Sequence, residues 1–195
     1  MSDGVLRESR RLRAATWVLT VLLGPVVAAC GPDGWAEYGN ETGGYTIEAP
    51  VTWVAVEAGE RFTGTIREWE VLLPGEIQKT TIQERTGPDG EEPVWAGELR
   101  VRVLSNPDGL TLDDWVESED LTDPLGGSLD DTHLGGEPAK RWLRVAYDVA
   151  LAGVVAVVDD RIYHLSFESD SENDPTFDAH QQIYERMIAS FRLTR

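Results

Sequence analysis

The pattern that most constrains the fold lies in the last third of the chain. Val154 to Val158 is apolar at every position, Asp159-Asp160 follows, and Arg161 to Phe167 then alternates. An unbroken apolar run is expected of a strand covered on both faces, and a two-residue polar break turns it into a β-hairpin. On the second strand Tyr163, Leu165 and Phe167 share one face, while Ile162, His164 and Ser166 share the other. A helix is predicted to open at Asp174-Pro175, an N-cap followed by proline at the first helical position. Its apolar residues Phe177, Tyr184, Met187, Ile188 and Phe191 fall on one side at helical spacing, and Arg192 to Arg195 reads as a short terminal strand. Such a chain must lay an amphipathic helix on a sheet.

The upstream signals are also β-rich. Tyr45-Thr46-Ile47-Glu48 alternates up to Pro50, with Trp53 beyond it; Glu68 to Leu73 is a second run, stopped by Pro74-Gly75. Gln78 to Gln83 is weaker and precedes the turn-rich Gly87-Pro88-Asp89-Gly90. Leu99, Val101 and Val103 alternate with Arg100 and Arg102, which predicts a strand with one solvated face. A short helix follows, capped by Thr111, with Asp113 and Asp114 at its positive end and Leu112, Trp115 and Val116 on its apolar side. Glu117 to Asp131 reads as an acidic loop and Ala139 to Tyr147 as another strand. Grouped strands with two helices predict an α+β domain, an antiparallel sheet with flanking helices on one face or split between both.

The N-terminus carries a different message. Arg7, Arg10, Arg11 and Arg13 precede an uncharged apolar stretch from Ala14 to Val27, and Val27-Ala28-Ala29-Cys30 closes it. This arrangement resembles a bacterial lipobox, which implies a signal peptide over residues 1–29 and a lipidated Cys30, with palmitate among the expected acyl groups. The alternative is an uncleaved anchor, although the apolar run is short for a bilayer of roughly 30 Å. Ser9-Arg10-Arg11 is similar to the start of a twin-arginine signal, but Arg13 stands where that pattern takes a hydrophobic residue. Residues 30–44, rich in Gly and acidic side chains, read as a flexible tether, and 45–195 as one domain. Cys30 is the only cysteine, so the domain has no disulfide and relies on packing. A chain of this length buries roughly 70% of its extended surface.

Net charge excludes some partners. The whole chain has 17 Lys+Arg against 35 Asp+Glu; beyond residue 29 the counts are 13 and 33, a net of −20. That argues against nucleic acid, which needs a basic surface to displace counterions, and against adsorption to anionic lipid without the anchor. Solubility at a crowded surface explains the charge more simply than a specific cationic ligand.

Several segments together resemble the PsbP-like family, which includes many actinobacterial lipoproteins. They are Gly44-Tyr45-Thr46-Ile47-Glu48-Ala49-Pro50 with Trp53, Gly136-Glu137-Pro138-Ala139, the strand Arg161-Ile162-Tyr163-His164-Leu165-Ser166-Phe167, and the ending Met187-Ile188-Ala189-Ser190-Phe191. The resemblance implies an α/β/α sandwich around an antiparallel sheet and a mostly non-enzymatic role in binding, assembly or as an accessory on membranes. Val54 to Glu98 is the least family-like stretch, and no functional residue is carried over.

No catalytic constellation emerges from the residues themselves. His164 and Ser166 are two apart on a strand, roughly 7 Å along it, which is too far for nucleophile activation. His164 is expected to be partly buried beneath a helix. His180 falls on the apolar side of the last helix and reads as a packed or rim residue. His133, in a polar loop beside Asp130 and Asp131, lacks the partners of a metal site. Glu168, Asp170, Glu172 and Asp174, like Glu117, Glu119, Asp120 and Asp123, alternate as calcium ligands do but lack the glycine and terminal glutamate of an EF-hand; solvated acidic loops are expected. Trp69, Trp95, Trp115 and Trp142 are mainly core candidates, with one or two at a binding surface.

The expectation is a membrane-anchored extracytoplasmic lipoprotein, held to the cell membrane through Cys30, that binds an envelope protein or a small ligand. No catalysis, cofactor or metal is expected. Ligand-contact residues are unassigned, with Val54 to Glu98 and the Glu117 to Asp131 loop as the regions to search. The rivals are an envelope hydrolase using two carboxylates roughly 5–10 Å apart and a purely structural spacer.

Overall fold

A computed structural model describes residues 34–58, 72–84, 97–119, 129–146, 149–170 and 177–194. Cys30, Trp69, Trp95, Asp120, Asp123, Glu172, Asp174 and the Gly87–Gly90 turn lie outside the described residues.

The fold is α+β. Seven strands form an antiparallel sheet in the order β3-β4-β5-β9-β8-β7-β6: β3 (Trp53–Glu57), β4 (Glu76–Glu84), β5 (Glu98–Ser105), β6 (Leu129–Leu134), β7 (Glu137–Ala146), β8 (Val149–Val158) and β9 (Arg161–Asp170). A smaller sheet orders β1 (Trp35–Asn40), β2 (Tyr45–Pro50) and β10 (Arg192–Leu193) as β1-β2-β10. The helices α1 (Leu112–Ser118) and α2 (Phe177–Ser190) belong to opposite faces of the large sheet, resolving the expected choice in favour of the split arrangement.

Side-chain alternation decides which face each helix takes. Leu99, Val101 and Val103 of β5, Leu165 and Phe167 of β9, and Ala152, Val154 and Ala156 of β8 share one face and are almost entirely buried. Tyr184, Met187 and Phe191 close this face from the α2 side, joined by Tyr45 and Ile47 of the small sheet. Phe167 stacks on Tyr184 at 5.1 Å and Tyr45 on Phe191 at 5.4 Å. His180 is buried here, edge-on to Trp53 and Phe167, with Nε2 3.5 Å from a Glu84 carboxylate oxygen. On the second face Val155 and Ile162 meet Trp115 and Val116 of α1. The Val154–Ala156 centre of β8 is therefore covered on both sides, which is why it is apolar at every position. Its hairpin to β9 turns at Asp159, held at a left-handed φ of 54° that Asp tolerates better than most side chains.

The N-terminal segment departs from the sequence reading. Within the expected tether, Trp35 to Asn40 forms β1, paired with β2 from Trp35↔Pro50 to Asn40↔Tyr45. Its alternation is weak because its fully buried residue is the polar Asn40, and polar bonds hold the strand. Tyr38 Oη donates to Glu57 Oε1 at 2.5 Å, and Asn40 Nδ2 donates to the same oxygen at 3.0 Å. Burial, and next the hydrogen bond to Glu57, push the Tyr38 phenol above its ordinary range. Trp35 is capped by the Arg186 guanidinium at 4.1 Å.

Three further elements differ in extent. The weak Gln78–Gln83 run is the core of the nine-residue β4, whose Thr80 and Thr81 are buried; polar side chains hid it. The expected acidic loop from Glu117 is shortened at both ends, because α1 continues to Ser118 and β6 starts at Leu129. Leu72 and Leu73 lie outside any strand and are exposed, while residues 68–71 are outside the described set.

Candidate functional site

Strand register arranges the second face of the large sheet in cross-strand rows. One row runs Lys79–Arg102–His164–Val155–Lys140–Asp131 across β4, β5, β9, β8, β7 and β6; the next runs Thr81–Arg100–Ser166–Gly153–Trp142–Leu129; a third includes Gln83–Glu98–Glu168–Leu151. Charged residues thus gather over β4 and β5, with Leu151, Val155 and Trp142 over β8 and β7 and the Lys140–Asp131 pair at the far edge. The Arg100 and Arg102 side of β5, predicted to be solvated, is half-buried and ion-paired. Arg102 Nε donates to Glu76 Oε1 at 2.5 Å; Arg100 pairs with Glu98 and, at 3.4 Å, with Glu168. Lys79 is buried in the same row, and desolvation lowers its pKa below the usual lysine range.

His164 sits where the charged and apolar halves meet. Its ring lies between two indoles, 5.4 Å from Trp115 at an interplanar angle of 64° and 5.4 Å from Trp142 at 44°. Nδ1 is 3.5 Å from an Arg102 guanidinium nitrogen, and among the described residues the buried Nε2 meets no hydrogen-bond partner. Desolvation, reinforced by the Arg102 cation, lowers the His164 pKa to about 3. The imidazole is therefore neutral at ordinary pH and serves as the middle ring of an aromatic row, with α1 above it as the sequence implied.

Gly153 determines where that row ends. A Cβ at this position would fall inside the Trp142 indole, so the ring lies directly on the β8 backbone. Trp142 is half-buried; beyond it a groove of about 270 Å³ is lined by Leu151, Ala152, Ser166, Arg100, Glu98 and Glu168 around the indole and His164. That volume is close to the lower end of ligand pockets, roughly 300 Å³. Leu151, near the start of β8, is 38% exposed, an apolar side chain facing solvent at the outer rim of the groove. Arg100 and the two carboxylates give the apolar wall a polar rim.

The remaining sequence candidates are dispersed. Ser166 follows His164 on the same face, but the row geometry keeps them in successive rows of β9. His133 is on β6 opposite Pro138, not in a loop, because the Gly135-Gly136 turn at positive φ folds β6 back onto β7; Asp131 is bound by Lys140 at 2.7 Å. Among the described residues no cluster of three His, Cys, Asp or Glu side chains is arranged to hold a metal ion. Glu168 is paired with Arg100 at 3.4 Å. No described helix is long and apolar enough to cross a membrane. A second cavity, of about 260 Å³, opens at the far end of the sheet between Glu41, Asp159, Asp160 and Arg161, but Arg161 donates there to the Thr42 and Gly43 carbonyls and fills much of its polar lining. The groove itself went unread in the sequence, although Gly153 inside an apolar strand was the available signal.

No protein-family model matches this chain, and no curated protein matches it. Several solved structures are similar in fold. One is a Bacteroides thetaiotaomicron protein, at 12% identity and a TM-score of 0.48 over 82% of this chain and 48% of the other, so this chain spans about half its length. Another is the cyanobacterial PsbP of Synechocystis, at 15% identity and a TM-score of 0.48 over 85% and 98%. A third is LpqN of Mycobacterium tuberculosis, a protein involved in cell envelope biogenesis, at 12% identity and a TM-score of 0.45 over 77% and 83%. Similarity at this level assigns no function.

Proposed function

We propose that this chain is a lipid-anchored, extracytoplasmic, PsbP-like domain that acts by binding rather than by catalysis, with the second-face groove as its recognition surface. The observation that carries the reading is Trp142 packed directly against Gly153 beside the exposed Leu151, an aromatic and aliphatic floor ringed by Arg100, Glu98 and Glu168. Apolar walls with a few oriented polar groups are how small ligands and partner side chains are bound. The neutral His164, wedged between two indoles, stiffens that floor instead of standing beside a nucleophile. The lipobox-like Val27-Ala28-Ala29-Cys30 supports the anchor, which would hold the domain at the cell membrane where an envelope protein or small ligand is met.

Site-specific photocrosslinking in the native envelope tests this reading. A photoreactive residue at Leu151 is expected to yield one discrete adduct, a residue at Glu185 on the α2 face none, and Cys30→Ala to abolish the Leu151 adduct. Equal labelling from both faces would refute the groove as the recognition surface. An adduct that survives Cys30→Ala would remove the anchor from the account.

A further inference from the structure

Resting on the Cys30 anchor, we infer that the domain is held upright on the bilayer. The pole carrying Trp35 and Val51 faces the lipid surface, and the pole carrying Asp159-Asp160 faces away from it. The first described residue, Gly34, accepts a hydrogen bond from the Val51 backbone N–H at 3.0 Å, and Trp35 pairs with Pro50, so the chain enters the fold at the β2–β3 turn. Four residue steps separate Cys30 from Gly34, and a fully extended link of that length reaches at most about 14 Å.

That reach is short against the body it holds. A domain of about 160 residues has a radius of gyration near 15 Å and so a diameter of about 40 Å. For a sphere of that size tethered at one point, a link of about 14 Å limits the tilt to roughly 70° from upright. The opposite pole then stays roughly 25 Å or more from the surface at any tilt the link permits. Charge acts in the same direction, because the net −20 of the chain beyond residue 29 keeps the body from lying down on anionic headgroups.

Strand register says what each pole carries. The row Val54–Gln83–Glu98–Glu168–Leu151 belongs to the end of the sheet where β3 begins, so the outer rim of the groove lies at the anchored pole. The turns Glu41–Gly44, Gly135-Gly136 and Asp159-Asp160 lie at the other end, since Arg161 bonds to the Thr42 and Gly43 carbonyls there. Val51, 45% exposed at the β2–β3 turn, places an apolar side chain at the anchored pole. In the upright orientation an occupant of the groove meets its outer rim on the membrane-facing side of the domain, whereas the far pole points away from the lipid.

Depth-dependent quenching tests the orientation. Lipidated full-length Val51→Cys and Asp160→Cys proteins, each carrying one dye because the native cysteine is acylated, would be placed in phosphatidylcholine vesicles containing a headgroup spin label. The expected result is quenching at least threefold stronger at position 51 than at 160. A vesicle-bound protein quenched equally at both positions, or more at 160, overturns the orientation and leaves the anchor standing. A protein that takes dye on Cys30 and stays out of the vesicle fraction overturns the anchor and the orientation together.

Discussion

The two faces of the large sheet are built on opposite plans. The first is covered by a fourteen-residue helix and a second sheet over a core of Phe, Tyr, Leu and Val, with Leu143 left 40% exposed at its β7 side. The second has a seven-residue helix over one end, a charged row at one side and an open groove over the rest. A helix of seven residues covers only about 10 Å of length, and none stands alone in water at that size. The lesson is a division of labour on one sheet: α2 and the small sheet supply most of the stability, and the incomplete cover of the other face leaves side chains accessible for recognition.

The strongest way to break that comparison is through the sealed face. Phe167→Ala, removing a fully buried ring stacked on Tyr184 and near Trp53, is expected to cost about 4 kcal/mol in chemical denaturation. A cost near 1 kcal/mol would mean that this face is not the main core.

Acid should act next, and through the other face. His164 has a folded-state pKa of about 3 against an ordinary 6.5. The unfolded chain takes up its proton first as pH falls, so this contribution to stability is complete above pH 6.5 and disappears progressively down to pH 3. Between those two values the slope approaches about 1.4 kcal/mol per pH unit, because the folded and unfolded chains differ there by nearly one proton. His164→Phe should remove that part of the pH dependence; an unchanged acid limb would contradict the burial of the imidazole beside Arg102.

Gly153→Ala must displace the Trp142 indole, at a cost of roughly 1–3 kcal/mol, with red-shifted tryptophan emission and loss of any groove adduct. Adding Trp142→Ala should recover the clash component but not the adduct. Thr111→Ala removes the capping box of α1, in which the hydroxyl accepts from the Asp114 N–H, and is expected to cost about 1 kcal/mol. At the small end, Glu185→Gln breaks the exposed pair with Arg141 on the α2 face and should change stability by less than about 0.5 kcal/mol.

Legibility in the sequence followed the same division. β8, β9 and α2 could be read because residues sealed on every side must be apolar, and their periods then announce the element. The alternation along β9 marks its two faces for the same reason. β1 and β4 were misread or underrated because their partners are polar: Tyr38 and Asn40 bond to Glu57, and Tyr45 Oη donates to Thr80 Oγ1 at 2.8 Å inside the core. Hydropathy does not register a strand fixed by hydrogen bonds. The groove leaves only Gly153 as a trace, because it depends on cross-strand register, which sets Trp142 opposite Gly153 and His164 opposite Val155; no local pattern encodes either pairing.

The most direct test of the division of labour is a paired measurement on Leu151→Gln: unfolding free energy, and recovery of a crosslink from a photoreactive residue at Ser166 in the same groove. The account predicts stability within about 1 kcal/mol of the parent, since Leu151 is 38% exposed, together with loss of the adduct. An adduct that persists at full yield, or a loss of several kcal/mol, would contradict the assignment of recognition to the open face.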